Sequence, residues 1–153
     1  MEKLPRTHED GSTNVPGLYI VGDLTGVPLL KFSAHTGARA VQTIVTDPAF
    51  ARRDTSNDQV LDVAIIGGGV SGFAAAREAQ KHGLRFKLFE AAEPFSTIVN
   101  FPKAKPIFTY PTDMTPAGDL QFHEKAGVKE GLLEDLHDQT LRAGIEPVAA
   151  RIE

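Results

Sequence analysis

The chain has 153 residues, the length of one domain or slightly more, and 41% hydrophobic residues, enough to bury a core. Its formal net charge of -4, with both signs scattered, leaves no basic footprint for nucleic acid or an anionic membrane surface. Cysteine is absent, which rules out disulfides, thiolate metal sites and a C-x-x-C redox pair within this chain.

No apolar run approaches membrane-spanning length and the N-terminus lacks a signal-peptide pattern, so a cytoplasmic protein is the default expectation. Residues 1–16 are polar and read as loop. Gly17-Leu18-Tyr19-Ile20-Val21-Gly22-Asp23 reads as a short apolar strand closed by Gly-Asp. Asp23 there is a turn residue, a helix N-cap or a ligand contact. From Pro28 to about Val45 the pattern becomes helical, with Leu30, Ala34, Ala38, Val41 and Val45 on one face. Gly37 inside that helix costs about 1 kcal/mol against Ala, so it is expected to serve close packing or a ligand. Thr46 to Gln59 has no periodicity and reads as a connector.

The most informative stretch follows. Val63-Ala64-Ile65-Ile66 reads as a buried parallel strand leading into Gly67-Gly68-Gly69-Val70-Ser71-Gly72 and then an Ala-rich helix. Gly67, Gly69 and Gly72 have the spacing of a dinucleotide-binding turn. The first glycine permits the tight turn, the second lets backbone approach a pyrophosphate, and the third lets helix and strand pack closely. The helix start, with Val70 and Ser71, offers free N–H groups and a positive dipole end to phosphates. Gly83 sits where a helix C-cap is expected. Phe86, Leu88 and Phe89 then build a second strand ending at Glu90, whose carboxylate is placed to accept hydrogen bonds from an adenosine ribose.

Residues 91–118 carry five prolines and read as a long loop, its aromatics serving either function or core cover. A helix is predicted over about Lys129–Ala143, with Leu132, Leu133, Leu136 and Thr140 inward and Glu130, Glu134, Asp138 and Arg142 outward. Gly144 ends it, and residues 145–152 supply a third strand. His8, His35, His82, His123 and His137 have no metal-ligand spacing, so no metal is expected; His35, on the helix after Asp23, reads first as an ordinary helix-surface histidine and second as one that comes near a bound cofactor. The fold class these elements predict is α/β, a Rossmann-like FAD/NAD(P)-binding fold with a small parallel sheet flanked by helices.

The stretch DVAIIGGGVSGFAAA, with FKLFE after it, resembles the FAD-binding fingerprint of the two-dinucleotide-binding-domain flavoproteins, in particular the thioredoxin reductase-like branch. Asn100-Phe101-Pro102 is similar to an N-F-P of that branch which packs near the flavin, and LRAGIEP is similar to its helix ending before the third strand. Gly17 to Asp23 resembles the family's second FAD motif. The resemblance implies that Gly22 and Asp23 meet the ribityl–pyrophosphate end of FAD. It also implies that Gly67, Gly69, Val70, Ser71 and Gly72 hold the pyrophosphate, Glu90 the adenosine ribose, and Asn100 the flavin surroundings. Where the family's helix after the Asp often begins Arg-Gln, Leu30-Lys31 stand here.

The order of the two motifs is reversed relative to the family, and its nicotinamide domain and redox cysteines are missing. Residues 1–46 thus resemble the C-terminal FAD motif, 47–59 a linker and 60–153 a Rossmann-type unit. Two readings explain the reversal: a fragment spanning two modules, which is favoured, or a permuted FAD domain in which strand 17–22, helix 28–45 and strand 62–66 form one right-handed crossover. The function implied is the FAD-binding portion of a flavin-dependent NAD(P)H oxidoreductase without redox cysteines, with NAD(P)H bound elsewhere as electron donor. Its partner is the remainder of a longer chain or a second subunit. No catalytic residue is assigned. The alternatives are a non-catalytic FAD or NAD(P) module, a truncated fragment without turnover, or a plain NAD-binding fold.

Overall fold

The computed structural model describes residues 3–123 and 127–153. It is an α/β fold around a small parallel sheet, β1 (Val63–Ile66), β2 (Phe86–Glu90) and β3 (Val148–Ala149), in the order β1-β2-β3. Val63 lies opposite Phe86 and Ile66 opposite Phe89, while Phe89 and Glu90 face Val148 and Ala149. Six helices accompany the sheet among the described residues: α1 (Leu30–Thr46), α2 (Pro48–Ala51), α3 (Val70–Lys81), α4 (Ser96–Val99), α5 (Lys129–Gln139), and a 3-10 turn over Gly22–Thr25.

The centre is α3, which backs β1 and β2 and receives α1 along its other side. Its Ala74, Ala75, Ala76 and Ala79 are buried, small enough for close approach from both directions. Gly37 serves packing rather than a ligand: a Cβ there would overlap the Ser71 carbonyl oxygen, so α1 and α3 touch backbone to backbone. The end of α3 is a Schellman motif: Gly83, at φ 65°, donates to Gln80 and Leu84 donates to Ala79. Phe73 stacks on Phe95 with ring centroids 4.7 Å apart, and Leu88, Ile98, Leu120, Leu132 and Leu136 complete the core.

The predicted α5 ends earlier than its pattern, at Gln139, with Thr140 fully buried and its hydroxyl donating to Leu136 O at 2.7 Å. Its outer face carries the ion pairs of Arg142 with Glu134 and Asp138, a solvated surface as its spacing implies. The connector holds one helical turn, α2, opened by Asp47, whose carboxylate accepts from Ala49 N at 2.9 Å.

One element departs from expectation. Residues 17–22 form no strand of the sheet, and the crossover with β1 is not made. The segment turns back on residues 11–13 instead: Thr13 N donates to Leu18 O (3.2 Å), Ile20 N donates to Gly11 O (2.9 Å), and Ser12 bridges Tyr19 antiparallel. Its backbone groups on that side are satisfied locally, and Gly22 enters the 3-10 turn at φ 76°. No helix among the described residues is long and apolar enough to cross a membrane.

Candidate functional site

The glycine-rich turn is built as its spacing predicts. Gly67 sits at φ 104°, where only glycine is comfortable, and its N–H donates to Phe89 O. Gly72 is held against the turn so closely that a Cβ would overlap the Gly67 carbonyl oxygen. A Cβ at Gly67 or Gly69 would meet nothing within 4 Å, so the space in front of the turn is open. The first turn of α3 has no side-chain cap, and the amides of Val70, Ser71 and Gly72 donate to no protein acceptor among the described residues. Unclaimed N–H groups at the positive end of a helix dipole, facing open space, suit an anionic phosphate.

Glu90 takes a part that spacing alone does not reveal. One carboxylate oxygen accepts from Gly68 N at 2.9 Å and the other from Ala92 N at 2.7 Å. The acid at the end of β2 therefore braces the turn and the loop after it. Each oxygen keeps a lone pair for a further donor such as a ribose hydroxyl.

The Gly-Asp segment arrives at the same place from the other side of the chain. Gly22 N donates to Thr36 Oγ1 of α1 at 2.9 Å, and a Cβ on Gly22 would lie 2.6 Å from Ser71 Oγ. This close approach sets Asp23 at the mouth of a cavity of about 420 Å³. Gly67, Gly69, Val70, Ser71 and Gly72 line the same cavity. Asp23 Oδ1 accepts from Ser33 Oγ at 3.1 Å, which fixes its carboxylate against α1. Of the predicted residues, Gly22 and Glu90 are outside the cavity lining, Gly22 packed on Ser71 and Glu90 bonded to Gly68 behind the turn. Asn100 stands outside the lining, exposed at the C-terminal end of α4.

Three further groups contribute that periodicity did not flag. Phe95, at φ 57° and buried, closes the cavity beside Ile98, and its N–H donates to Gly68 O at 2.8 Å. Lys31 is buried, its ammonium donating to Pro111 O at 2.8 Å and Thr112 O at 3.3 Å. His35 Nδ1 accepts from Ala117 N at 3.0 Å, and burial, with Arg39 nearby, pushes its pKa below the ordinary 6.5. Both side chains tie α1 to the long loop; neither faces the cavity.

A family model described as an NAD(P)-binding Rossmann-like domain matches residues 65–110. The match supports reading this segment as a nucleotide-binding unit. The match runs from β1 through the glycine turn and Glu90 into the long loop, and it leaves Asp23 and α1 outside. No curated protein and no solved structure matches the chain.

Proposed function

We propose that the chain is the FAD-binding portion of a flavin-dependent NAD(P)H oxidoreductase of thioredoxin reductase-like descent. The observation that carries this reading is the convergence of two motifs, distant in sequence, on one cavity. Asp23 and the Gly67–Gly72 turn line it together, with Gly22 packed against Ser71. A plain nicotinamide site has a use for the glycine turn and Glu90 but none for a second acidic motif pressed against the helix start. Under this reading one flavin dinucleotide serves both motifs. Its pyrophosphate meets the free amides of Val70 to Gly72, its ribityl chain lies by Asp23, and Glu90 accepts from the adenosine ribose. The flavin supplies the hydride and electron chemistry; the protein binds and orients it.

Cofactor fit is supported by the open space before Gly67 and Gly69 and by the unclaimed donors, which suit an anionic oxygen partner. A second reading, NAD(P) held at the same turn without flavin, is favoured by the description of the matching family model. The absorbance spectrum of the purified protein, with flavin released by denaturation, separates the two. Paired flavin bands, bleached anaerobically by NADH or NADPH, are expected. A protein that stays colourless after incubation with FAD yet binds NADH would replace the flavin reading with the second.

A further inference from the structure

The long loop packs on α1 and α3 at residues outside the cavity lining, and two of its consecutive residues meet buried groups there. Ala117 N donates to His35 Nδ1 at 3.0 Å. Gly118, at φ 81°, comes so close that a Cβ would lie 2.6 Å from Ala38 Cβ and 3.3 Å from Glu78 Oε2. Glu78 is 2% exposed. Its Oε1 accepts from Gln42 Nε2 at 3.2 Å and lies 3.2 Å from His82 Nε2, while Oε2 has no hydrogen-bond partner among the described residues. A buried carboxylate oxygen without a donor costs stability, and hydration removes that cost. The segment that covers it is bonded mainly to itself: Gln121 Nε2 donates to Pro116 O and Gly118 O, both at 2.9 Å. Upstream it is pinned where Lys31 meets Pro111 and Thr112, downstream where Leu120 is buried and Gln121 pairs with Gln139. Between those pins, among the described residues, α1 holds the segment by the His35 bond alone. Asp119 meets Lys81 at 3.4 Å, an exposed pair of little strength.

We propose that residues 113–119 form an acid-released strap, closed over Glu78 while His35 Nδ1 accepts from Ala117 and opened to water when that nitrogen takes a proton. A protonated imidazole has two donors and no acceptor, so His35 then meets the Ala117 N–H donor to donor. The two contacts act in the same direction. Protonation removes the bond that closes the strap, and opening brings water to the Glu78 oxygen that lacks a partner. The charged groups on the helices meeting here are Lys31 and Arg39 on α1, with Glu78, Lys81 and His82 along and at the end of α3. The strap itself contributes Asp113 and Asp119. Of these, Arg39 is the one that acts on His35, and together with burial it opposes the proton. The strap is therefore fully closed above the ordinary 6.5 and gives way as the pH falls below it. Its parts are α1, α3 and the loop, and it operates whichever dinucleotide the cavity holds.

The test is carboxyl labelling of the full chain with a carbodiimide and glycinamide, read by peptide mass spectrometry between pH about 7.5 and about 5.5, where a histidine changes charge. The exposed Glu93 is the internal reference, which cancels the pH dependence of the reagent. Labelling of Glu78 relative to Glu93 is expected to rise by up to about tenfold per pH unit below 6.5, since one proton is taken up per opening. Amide-exchange protection at Ala117, corrected for intrinsic rates, is expected to fall in step while Gly67, bonded to Phe89 O, keeps its own. His35→Gln, whose amide oxygen accepts at any pH, is expected to keep Glu78 unlabelled throughout. A Glu78 to Glu93 ratio that does not change with pH in the wild-type chain overturns the proposal, and that result needs no variant to fold. A rise that His35→Gln leaves intact also overturns it, by placing the titrating group elsewhere. So does a loss of protection at Gly67 in parallel with Ala117, which is global acid unfolding and not a strap.

Discussion

Gly37 shows how two opposing effects at one residue are decided by magnitude. Replacing a mid-helix glycine by alanine gains about 1 kcal/mol of helix propensity. Here the new methyl would overlap the Ser71 carbonyl oxygen and lie 3.2 Å from Ala75 N, both parts of a backbone that cannot rotate away. Overpacking of that kind costs about 1–3 kcal/mol or more. Gly37→Ala is therefore expected to lower the thermal midpoint, and because Ser71 lies in the first turn of α3, to weaken dinucleotide binding as well. A midpoint that rises would mean that α1 and α3 sit further apart than described. Asp23 makes the complementary case, since among the described residues its exposed carboxylate hydrogen-bonds only to Ser33 and contributes little to the fold. Asp23→Ala is expected to leave stability nearly unchanged. A hydrogen bond to a charged group is worth about 1.5–3 kcal/mol, so FAD affinity should fall by about 10- to 100-fold with NADH affinity unaltered. Equal loss of both ligands, or of neither, would remove Asp23 from the flavin site.

The long loop after β2 is the element whose order depends most on single side chains. Lys31 holds it at Pro111 and Thr112, Lys129 holds it at Val99 and Phe101, and His35 holds Ala117. His35 can accept at Nδ1 only while that nitrogen carries no proton. Its folded pKa is depressed below 6.5, so the unfolded chain binds more protons in that range and stability decreases as the pH is lowered. The His35 contribution is complete above 6.5 and is lost as pH drops through the lower, folded value. Thermal melts at pH 7.5 and below 6 should show a decrease that His35→Gln reduces; an identical decrease in the variant would assign it to other groups. These anchors also explain what was legible in the sequence. β1, the glycine turn, α3 and its Gly83 cap, and β2 are local patterns in which strand, turn and helix chemistry agree, and they form where predicted, except that β1 is a sheet edge with only Ile65 buried instead of a buried strand. The anchors from α1 join residues about 80 positions apart and those from Lys129 residues about 30 apart, and no local periodicity encodes them. Residues 17–22 are apolar enough for a strand, but an apolar run looks the same whether it pairs with a sheet or with its own neighbour. The competing hairpin with residues 11–13, opened by Gly11 at φ 85°, decided the outcome.

At the scale of the whole molecule, the two motif-bearing pieces are joined by more than the connector between them. Asp62 accepts from Arg53 Nε at 2.7 Å and from Arg85 N at 2.8 Å, and Arg53 also lies 3.8 Å over the Phe50 ring. The connector is thereby fastened to the start of both β1 and β2, with the Arg53 guanidinium holding the Asp62 carboxyl below the usual range. Ala34, Ala38 and Val41 of α1 are buried in the same core as Ala74, Ala75 and Phe73 of α3. Each apolar methyl or methylene lost from that interface costs about 0.8 kcal/mol. Separating residues 1–59 from the rest would expose several on both sides, against a total stability of about 5–15 kcal/mol for a domain. The chain is therefore expected to unfold in one cooperative step, with the α1 and α3 amides exchanging at the same free energy. Residues 60–153 alone should be destabilised by several kcal/mol on that account and bind neither FAD nor NADH tightly. Two separate transitions, with α1 melting first and the sheet retaining full stability, would mean that the Gly-Asp segment is an appendage to the Rossmann-type unit. One shared transition would mean that the reversed order of the motifs still builds a single folding unit around one cavity.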